Sequence, residues 1–437
     1  MSNLAMPQDR LMQQADRFMR LVIGNEAAFM RGRRRAALQR FAELGLPSRK
    51  EEGWRYTSIE ALLEMDFLPL AQTTPTPAKE RIEPLFLDAP LAGRVVMVDG
   101  VFRPELSAIP RPGIEIQSLR TAVANGDREV LEALGSLSGS GTHAFEALNL
   151  ATLLDGVVVR VKAGCAESRP LELLHLTSGA AAGHRLNVRH LLLMAESARL
   201  SLIERFLPLD DGACFTNQVL EILLGKGAGL SHQRVQMEGE KSFHLAELHV
   251  RPEADSRYEG IHVALGAVWS RIALHLSFTQ ARAACDLHGL YLTGEGQLTD
   301  YHLEIDHAVP GCSSRENFKG ILSGNGCAVF DGSVMVRPGA QQSDAHLSNA
   351  NLMLSRAAEV DTKPQLEIYA DDVKCSHGAT VGQLDDDAVF YLRSRGLDEA
   401  TARSMLSLAF ANEILQQLPT KTLRERLAGE VARRLEK

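Results

Sequence analysis

From Gly156 onward the sequence alternates between apolar and polar residues for over two hundred residues. Runs such as Val157–Val161, Arg189–Leu193 and Val219–Leu224 are short, and turn-forming residues separate them without a helical crossover. This alternation is typical of half-buried β-strands. Small residues also recur, mostly at intervals of roughly 26–31 residues, within the range of solenoid repeats. The step between the fourth and fifth of them is longer: Ala198, Ala228, Ala254, Ala284, Cys327 and Ala358.

Many short strands in series can build a sandwich, a barrel or a β-helix. The lack of helical crossovers over so long a stretch favours a stacked β-helix, and a large sandwich is the main alternative. Helical periodicity frames the strands, because residues 8–44 predict one or two helices before them and residues 399–418 and 420–436 predict helices after them. The sequence therefore predicts a mainly β protein flanked by helical regions.

The amino-acid composition argues against several classes of protein. The 437 residues carry a formal net charge of -8, with 45% hydrophobic and 23% charged residues, as expected of a soluble globular protein. The acidic balance argues against nucleic acid or an anionic membrane as a partner. The six cysteines form no CxxC pair, which argues against a disulfide framework or a structural zinc site. Since neither a membrane-spanning apolar run nor a signal-peptide pattern is present, we expect a cytoplasmic protein with reduced thiols.

The stretch from Pro364 to Thr380 concentrates potential ligands. Its first half alternates like a half-buried strand, which we expect to continue extended through Lys374 and to end at Gly378. Cys375 and His377 would then project from one face. A thiolate beside an imidazole suits iron, zinc or copper, but two ligands cannot close a site that needs about four. In a metal site the missing ligands would come from another chain, from the cofactor or from distant turns. The spacing alone favours the other interpretation, a structural buried thiol beside a surface histidine.

Other polar groupings have simpler interpretations. In His302-Leu-Glu-Ile-Asp-His307, the residues His302, Glu304 and Asp306 would share one strand face. They form either a polar outer stripe, which is favoured, or a metal-binding or acid–base face. Cys312 is either an inert loop cysteine or a reactive thiol. The glycine-rich segment 225–229 lacks the residue order of a phosphate-binding loop and is predicted to be a solenoid turn. The apolar stripe of residues 399–418 either packs on the body of the protein or docks a partner.

Three stretches resemble the SufB/SufD family of iron–sulfur cluster assembly proteins, and within it the SufD members most: Arg315-Glu-Asn-Phe-Lys-Gly320, Pro364–Thr380 and Phe390-Tyr-Leu-Arg-Ser-Arg-Gly396. The resemblance implies a right-handed parallel β-helix over residues 156–382. It also implies a helix-rich N-terminal region over 1–155 and a C-terminal helical domain over 383–437.

The resemblance further implies a non-catalytic subunit of a scaffold complex. SufB would pair with the end of the β-helix, and the ATPase SufC would dock on the C-terminal helical domain. His377 matches a histidine implicated in building the nascent cluster, and Cys375 matches its neighbour. The implied cofactor is a transient iron–sulfur cluster or iron held at the SufB interface, with no nucleotide bound by this chain. A homodimer of the isolated chain is also compatible with the resemblance.

Two alternatives come from other function classes. A β-helix enzyme acting on acidic polysaccharide would be exported and would line its groove with aromatic and basic residues. The low aromatic content of 5% and the acidic balance count against it. A homodimeric interaction protein without a metal role is the second alternative, and the sequence alone does not separate it from the scaffold subunit.

Overall fold

The computed structural model describes residues 6–22, 28–109, 112–138 and 143–436. Two N-terminal helices cover the region predicted as helical, five short helices follow before the strands of the core, and three helices end the chain. Their bounds are α1 Pro7–Val22, α2 Ala28–Leu44, α3 Glu60–Glu64, α4 Lys79–Ile82, α5 Leu119–Ala124, α6 Arg128–Ala133, α7 Ala144–Ala151, α8 Asp386–Ser394, α9 Glu399–Leu415 and α10 Lys421–Leu435.

From β5 onward, the strands alternate between two sheets along the chain. Those of the first sheet are β1 Leu68–Pro69, β4 Ile114–Ser118, β5 Val157–Val161, β7 His184–Met194, β9 Phe215–Leu224, β11 Phe243–Pro252, β13 Trp269–Phe278, β15 Leu298–His307, β17 Cys327–Val336 and β19 Glu359–Ile368. Those of the second are β2 Gly93–Val98, β3 Val101–Phe102, β6 Leu171–Thr177, β8 Arg199–Pro208, β10 Gly229–Gln236, β12 Arg257–Ala264, β14 Ala284–Thr293, β16 Ser313–Leu322, β18 Asp344–Met353 and β20 Lys374–Gly382.

The strands build a β-solenoid of about 8 turns, which confirms the prediction of a mainly β fold with helices at both sides. From β6 to β18 each strand pairs in parallel with the strands one turn before and one turn after it, so from β5 onward the odd-numbered and even-numbered strands form separate sheets. Parallel pairing explains why the connections switch sheets, since neighbouring strands of one sheet cannot be joined by a tight hairpin. Only β3 and β4, at the beginning of the two sheets, run antiparallel among these pairs.

The longer step in the small-residue repeat has a simple explanation. Cys327 begins a strand of the first sheet, so it does not continue the row of Ala228, which lies just before a strand of the second. Ala284, Ser313 and Asp344 pair with one another at the beginnings of their strands, and the residues just before them, Ala283, Cys312 and Ser343, are all small and buried. The row of small corner residues is therefore continuous through the longer step.

Two helical layers cover the outer faces of the sheets. Apolar residues of α1, α2 and α7 pack with Phe215, Phe243 and Trp269 of the first sheet. Residues of α9 and α10, including Ile414 and Leu427, pack on the outer face of the second sheet. The two sheets thus have a largely apolar interior between them and a helical cover on the outside. The N-terminal region still reaches the last turn, where Lys363 of β19 is paired with Glu52 at 2.6 Å.

The interior between the sheets, called the lumen below, contains polar residues as well as apolar ones. Near its beginning, Glu204 is paired with Arg234, and Gln218 donates a hydrogen bond of 2.6 Å to the same carboxylate. Near its end lies Glu316, which is 1% exposed. Burial raises the pKa of Glu316 to about 8; the Ser314 hydroxyl opposes this rise, and the Asp286 carboxylate adds to it.

The raised pKa of Glu316 predicts how stability depends on pH. The carboxyl is neutral in the folded state but ionises near pH 4.5 when unfolded, so the folded state loses stability as the pH rises from about 4.5 to about 8. Glu316→Gln removes this loss, and its free energy of unfolding relative to the parent should rise by roughly 1.4 kcal/mol per pH unit in that window. Urea unfolding at several pH values measures the difference. The exposed Glu64→Gln is the control, and parallel pH profiles of the parent and Glu316→Gln would contradict the assignment.

Candidate functional site

The predicted ligand pair lies on the last turn of the solenoid. The expectation of one continuous strand through Lys374, ending at Gly378, is wrong. β19 ends at Ile368, a turn contains Asp371 and Asp372, and β20 runs on to Gly382 in the other sheet. The turn is tied to the preceding one by a hydrogen bond of 2.6 Å from the Gln342 amide to the Asp372 carbonyl oxygen. Since the chain changes sheets here, the ligand pair belongs to β20 alone.

Cys375 and His377 share one face of β20, as predicted. They are in register with Ala345 and Leu347 of β18, whose side chains are buried in the lumen. Residues paired across parallel strands point to the same side of a sheet, so Cys375 and His377 face the end of the lumen. The Cys375 side chain packs partly against the lumen residues, and His377 is exposed.

Burial raises the pKa of the Cys375 thiol, and the Asp344 carboxylate raises it further, while a backbone hydrogen bond at Ala345 opposes both. The thiol is therefore protonated at neutral pH, and a metal bound by its sulfur would have to displace that proton. In the described part of the chain, neither Cys375 nor His377 belongs to a group of three clustered potential ligands. The pair has the chemistry of an incomplete soft-metal site.

The edges next to this pair are open. β19 and β20 stand at the ends of their sheets, each with one neighbouring strand. Unpaired backbone N–H and C=O groups along such edges can pair with another chain. Most residues of β20 are exposed, and Ile368 and Tyr369 at the end of β19 are 41% and 60% exposed. The last turn thus presents two strand edges, apolar side chains and one imidazole on a single surface.

The second grouping is a polar outer stripe, as favoured by the sequence. Leu303 and Ile305 are buried, whereas the acidic and histidine side chains between them face outward and have separate partners. His302 lies 3.0 Å from Asp300, and Asp306 accepts two hydrogen bonds from Arg337. These residues therefore do not converge on one ion, although Glu304 contacts His275 of the neighbouring strand.

Two further motifs have structural roles. Cys312 is 1% exposed and donates weakly to backbone carbonyls, and burial raises the pKa of its thiol, so the inert cysteine is the better interpretation. The glycine-rich segment 225–229 is the turn between β9 and β10, and the Gly227 amide donates a hydrogen bond of 2.9 Å to the Ala254 carbonyl one turn later. The predicted solenoid turn is confirmed.

The C-terminal stripe packs against the body, as one of its two interpretations expected, and apolar side chains beside it stay exposed. Ile414 and Leu415, in the second half of α9, are fully buried against the body. The first half of α9 leaves Met405 49% exposed, and the adjoining α8 leaves Phe390 and Tyr391 71% and 56% exposed. Large apolar side chains grouped on a surface mark interaction sites.

The sequence interpretation missed two groups of potential ligands, one in the lumen (His175, His190 and Glu204) and one on the outer face of the first sheet. His143 before α7, Glu247 on β11 and His275 on β13 place their ligand atoms within 4.8 Å of one another. His249, His275 and Glu304 recur at the repeat length and lie in register on three successive strands of the first sheet. Tracking polar residues at that interval would have found this row.

Comparison with known proteins agrees with this architecture. Residues 176–410 match the family model described as "SUF system FeS cluster assembly, SufBD core domain", and residues 9–173 match the SufBD protein N-terminal region. The chain belongs to the SufBD family of iron–sulfur cluster assembly proteins. Both SufBD models together span the solenoid, the N-terminal helices and part of the C-terminal helices.

Individual SufBD relatives match over nearly their whole length. The chain is 34% identical to the iron–sulfur cluster assembly protein SufD of Escherichia coli, over 91% of each chain. It is also 34% identical to a SufBD family protein of Synechocystis, over 93% of this chain and 91% of the relative. A chloroplastic protein of Arabidopsis thaliana, ABCI7, is 30% identical over 88% of this chain and 82% of its own. No helix among the described residues is long and apolar enough to cross a membrane.

The state of Cys375 can be tested by alkylation. Its raised pKa predicts that the rate of modification by iodoacetamide increases with pH and reaches half its maximum above pH 9, because only the thiolate reacts. Mass spectrometry of the folded protein measures the modified fraction at each pH. Cys285, which is 3% exposed, is the internal control and should stay unmodified. A midpoint for Cys375 below 9 would contradict the assignment.

Proposed function

We propose that this chain is the SufD-like, non-catalytic subunit of a SufB–SufC–SufD scaffold, in which His377 helps to build the nascent iron–sulfur cluster at the interface with SufB. The supporting observation is the position of an incomplete ligand pair on an open solenoid end in a SufBD family protein. An exposed imidazole and a half-buried thiol supply two ligands, and the partner chain supplies the rest. The cluster is the product of the assembly and stays only transiently.

The open end also supports the mode of pairing. A second solenoid with a similar last turn can add its strand edges to those of β19 and β20, and main-chain hydrogen bonds would then cross the interface. Such an interface encloses the surface that carries His377 and Cys375, so the cluster forms at a boundary protected from water. The same edges allow the isolated chain to pair with a second copy of itself.

The C-terminal helices supply a second docking surface. The ATPase SufC binds the exposed group of Phe390, Tyr391 and Met405 on α8 and α9. α9 and α10 are anchored on the second sheet by buried apolar residues, so the docked ATPase rests on a rigid support. ATP hydrolysis is a property of the partner, and this chain transmits its effect as a scaffold.

Replacing the imidazole tests the proposed cluster role. His377→Ala should leave folding and binding to SufB and SufC unchanged, because the side chain is exposed. Cluster formation should fall by about tenfold or more, since loss of even a ligand's hydrogen-bond partner costs roughly 10–100-fold in metal affinity. Anaerobic reconstitution of the three-protein complex with iron and sulfide, followed by optical absorption, measures cluster yield.

His184→Ala is the matched control for this experiment, since His184 lies on β7, near the other end of the solenoid. Cys375→Ser separates the contribution of the thiol from that of the imidazole. A normal cluster yield from His377→Ala in an intact complex would overturn the site assignment. Equal cluster formation with and without SufB would overturn the proposal that the cluster is built at an interface shared with SufB.

The docking surface predicts a separable defect. The double variant Phe390→Ser, Tyr391→Ser should weaken SufC binding by more than about tenfold, because buried aromatic anchors at interfaces commonly contribute 2 kcal/mol or more each. SufB binding should be unchanged. Surface plasmon resonance with immobilised SufC measures the affinity. Ile109→Ser removes an equally exposed apolar side chain far along the chain, and a similar loss with this control would show that the effect is not local.

A further inference from the structure

A second group of metal-type ligands lies on the outer face of the first sheet, separated from β19 by two intervening strands. It consists of His143, which occupies the N-cap position of α7, Glu247 on β11 and His275 on β13. The ligand atoms of the three side chains all lie within 4.8 Å of one another. Ligands of a zinc-type ion lie about 2.0–2.2 Å from the metal, so closing this group around an ion needs movements of only about 1 Å.

The parallel register creates the group. His249, His275 and Glu304 occupy the same row on β11, β13 and β15, while Glu247 pairs with Ala273 in the adjacent row. The small side chain of Ala273 leaves room for Glu247 to reach diagonally to His275. The carboxylate of Glu247 contacts the imidazole Nε2 of His275 at 2.9 Å.

Helix α7 brings the third ligand. Phe145 and Leu148 of this helix are buried in the apolar cluster that joins the N-terminal helices to the first sheet. This packing fixes the N-terminal end of α7 above the row, where the ring of His143 lies 5.0 Å from the ring of His275. The His143 side chain makes no capping hydrogen bond to its own helix. Its imidazole is therefore available to a ligand on the sheet side.

The surroundings orient the group. Glu304 contacts the Nδ1 atom of His275 at 2.8 Å, and carboxylates that hold one ring nitrogen commonly orient the other toward a metal. Glu304 is therefore a positioning residue. On the opposite side, His249 stacks on His275 with ring centres 4.8 Å apart, and its Nε2 atom lies 3.0 Å from Glu146.

Charge also favours a cation at this place. Two guanidinium groups on the same face are already engaged, because Arg189 is paired with Glu221 and Arg271 with Asp300. Glu247 is only 2% exposed, and it shares His275 with Glu304. Burial lowers the pKa of His275, but the hydrogen bonds to Glu247 and Glu304 raise it to about 10, so a bound ion would take the place of the proton on this imidazole. A nearly buried carboxylate beside two imidazoles is compensated well by a divalent ion. The side chains of His275 and Glu304 are 16% and 61% exposed, so an ion can enter from solvent.

A second trio in the lumen shows the contrast. His175, His190 and Glu204 also place their ligand atoms within 4.8 Å, but all three are buried. Arg234 is paired with Glu204 and already supplies the compensating positive charge. An ion would have to enter a closed interior and displace a guanidinium group. The lumen trio is a structural network, and the outer trio is the one that solvent reaches.

We propose that His143, Glu247 and His275 bind one divalent first-row transition-metal ion on the outer face of the first sheet. Two imidazoles and one carboxylate suit Fe²⁺, Co²⁺ or Zn²⁺ and leave at least one coordination position to water. This site lies within one chain, unlike the ligand pair of the last turn. The sheet supplies two of its ligands and the N-terminal region supplies the third, so a bound ion ties the two regions together.

Cobalt titration of the purified full-length chain tests the site. After removal of metal by a chelator, Co²⁺ should bind at one ion per chain with visible absorption bands and should raise the melting temperature. His143→Ala should weaken Co²⁺ binding by at least about tenfold, because it removes a ligand. Glu304→Gln removes only an orienting group, whose loss typically costs roughly 10–100-fold in metal affinity, so its effect should be smaller than that of His143→Ala. Glu247→Gln, a second ligand variant, should also weaken Co²⁺ binding. Circular dichroism checks that each variant is folded.

Two controls separate this site from the last turn. His377→Ala with Cys375→Ser should bind Co²⁺ at the outer site as tightly as the parent, and His184→Ala should do the same. Failure of the parent to bind one Co²⁺, or unchanged binding by folded His143→Ala and Glu247→Gln, would overturn the proposal. Loss of Co²⁺ binding in the last-turn variant would also overturn it, by assigning the ion to His377. None of these results depends on cluster assembly by the complex.

Discussion

The in-register pairing of parallel strands is the constraint on which the rest of this structure depends. Each core residue is hydrogen-bonded beside the residue one turn away, so the side chains of successive turns form straight rows. Apolar rows fill the lumen, and other apolar rows receive the helical covers. Polar rows arise by the same rule, which explains why His249, His275 and Glu304 meet although 26 or more residues separate neighbours in the sequence.

Much of this architecture could be predicted because its causes are local. The alternation of apolar and polar residues can be read within each single strand. The caps of α8 and α9 likewise involve only residues that lie within four positions of one another in the sequence. Asp385 and Asp398 each accept a hydrogen bond from a backbone amide two or three residues later, at the beginnings of α8 and α9. Helical periodicity in residues 8–44 likewise corresponds to α1 and α2. The resemblance to a known family agreed with the strands and helices that these patterns indicate.

The parts that could not be predicted depend on which residues oppose one another across turns. The switch of sheets after Ile368 was missed because the polar pattern continues through Asp371 and Asp372. The pairing of β19 and β20 with strands of different sheets shows that the segment is a corner, and the hydrogen bond from the Gln342 amide to Asp372 holds it. The trio of His143, Glu247 and His275 needs the register of β11 and β13 together with the docking of α7. A turn longer by one residue would move Glu247 to the opposite face of its sheet.

The two ends of the solenoid are not equivalent. Its beginning is formed by the short antiparallel strands β3 and β4, and its last turn offers two parallel edges. A chain of this kind cannot continue head to tail into a filament, because the first end does not present the parallel edge that the last end would extend. A pair joined through two last turns would use up these edges in both chains and could not grow further. The asymmetry between the ends thus limits the stacking to which solenoids with two equivalent open ends are prone.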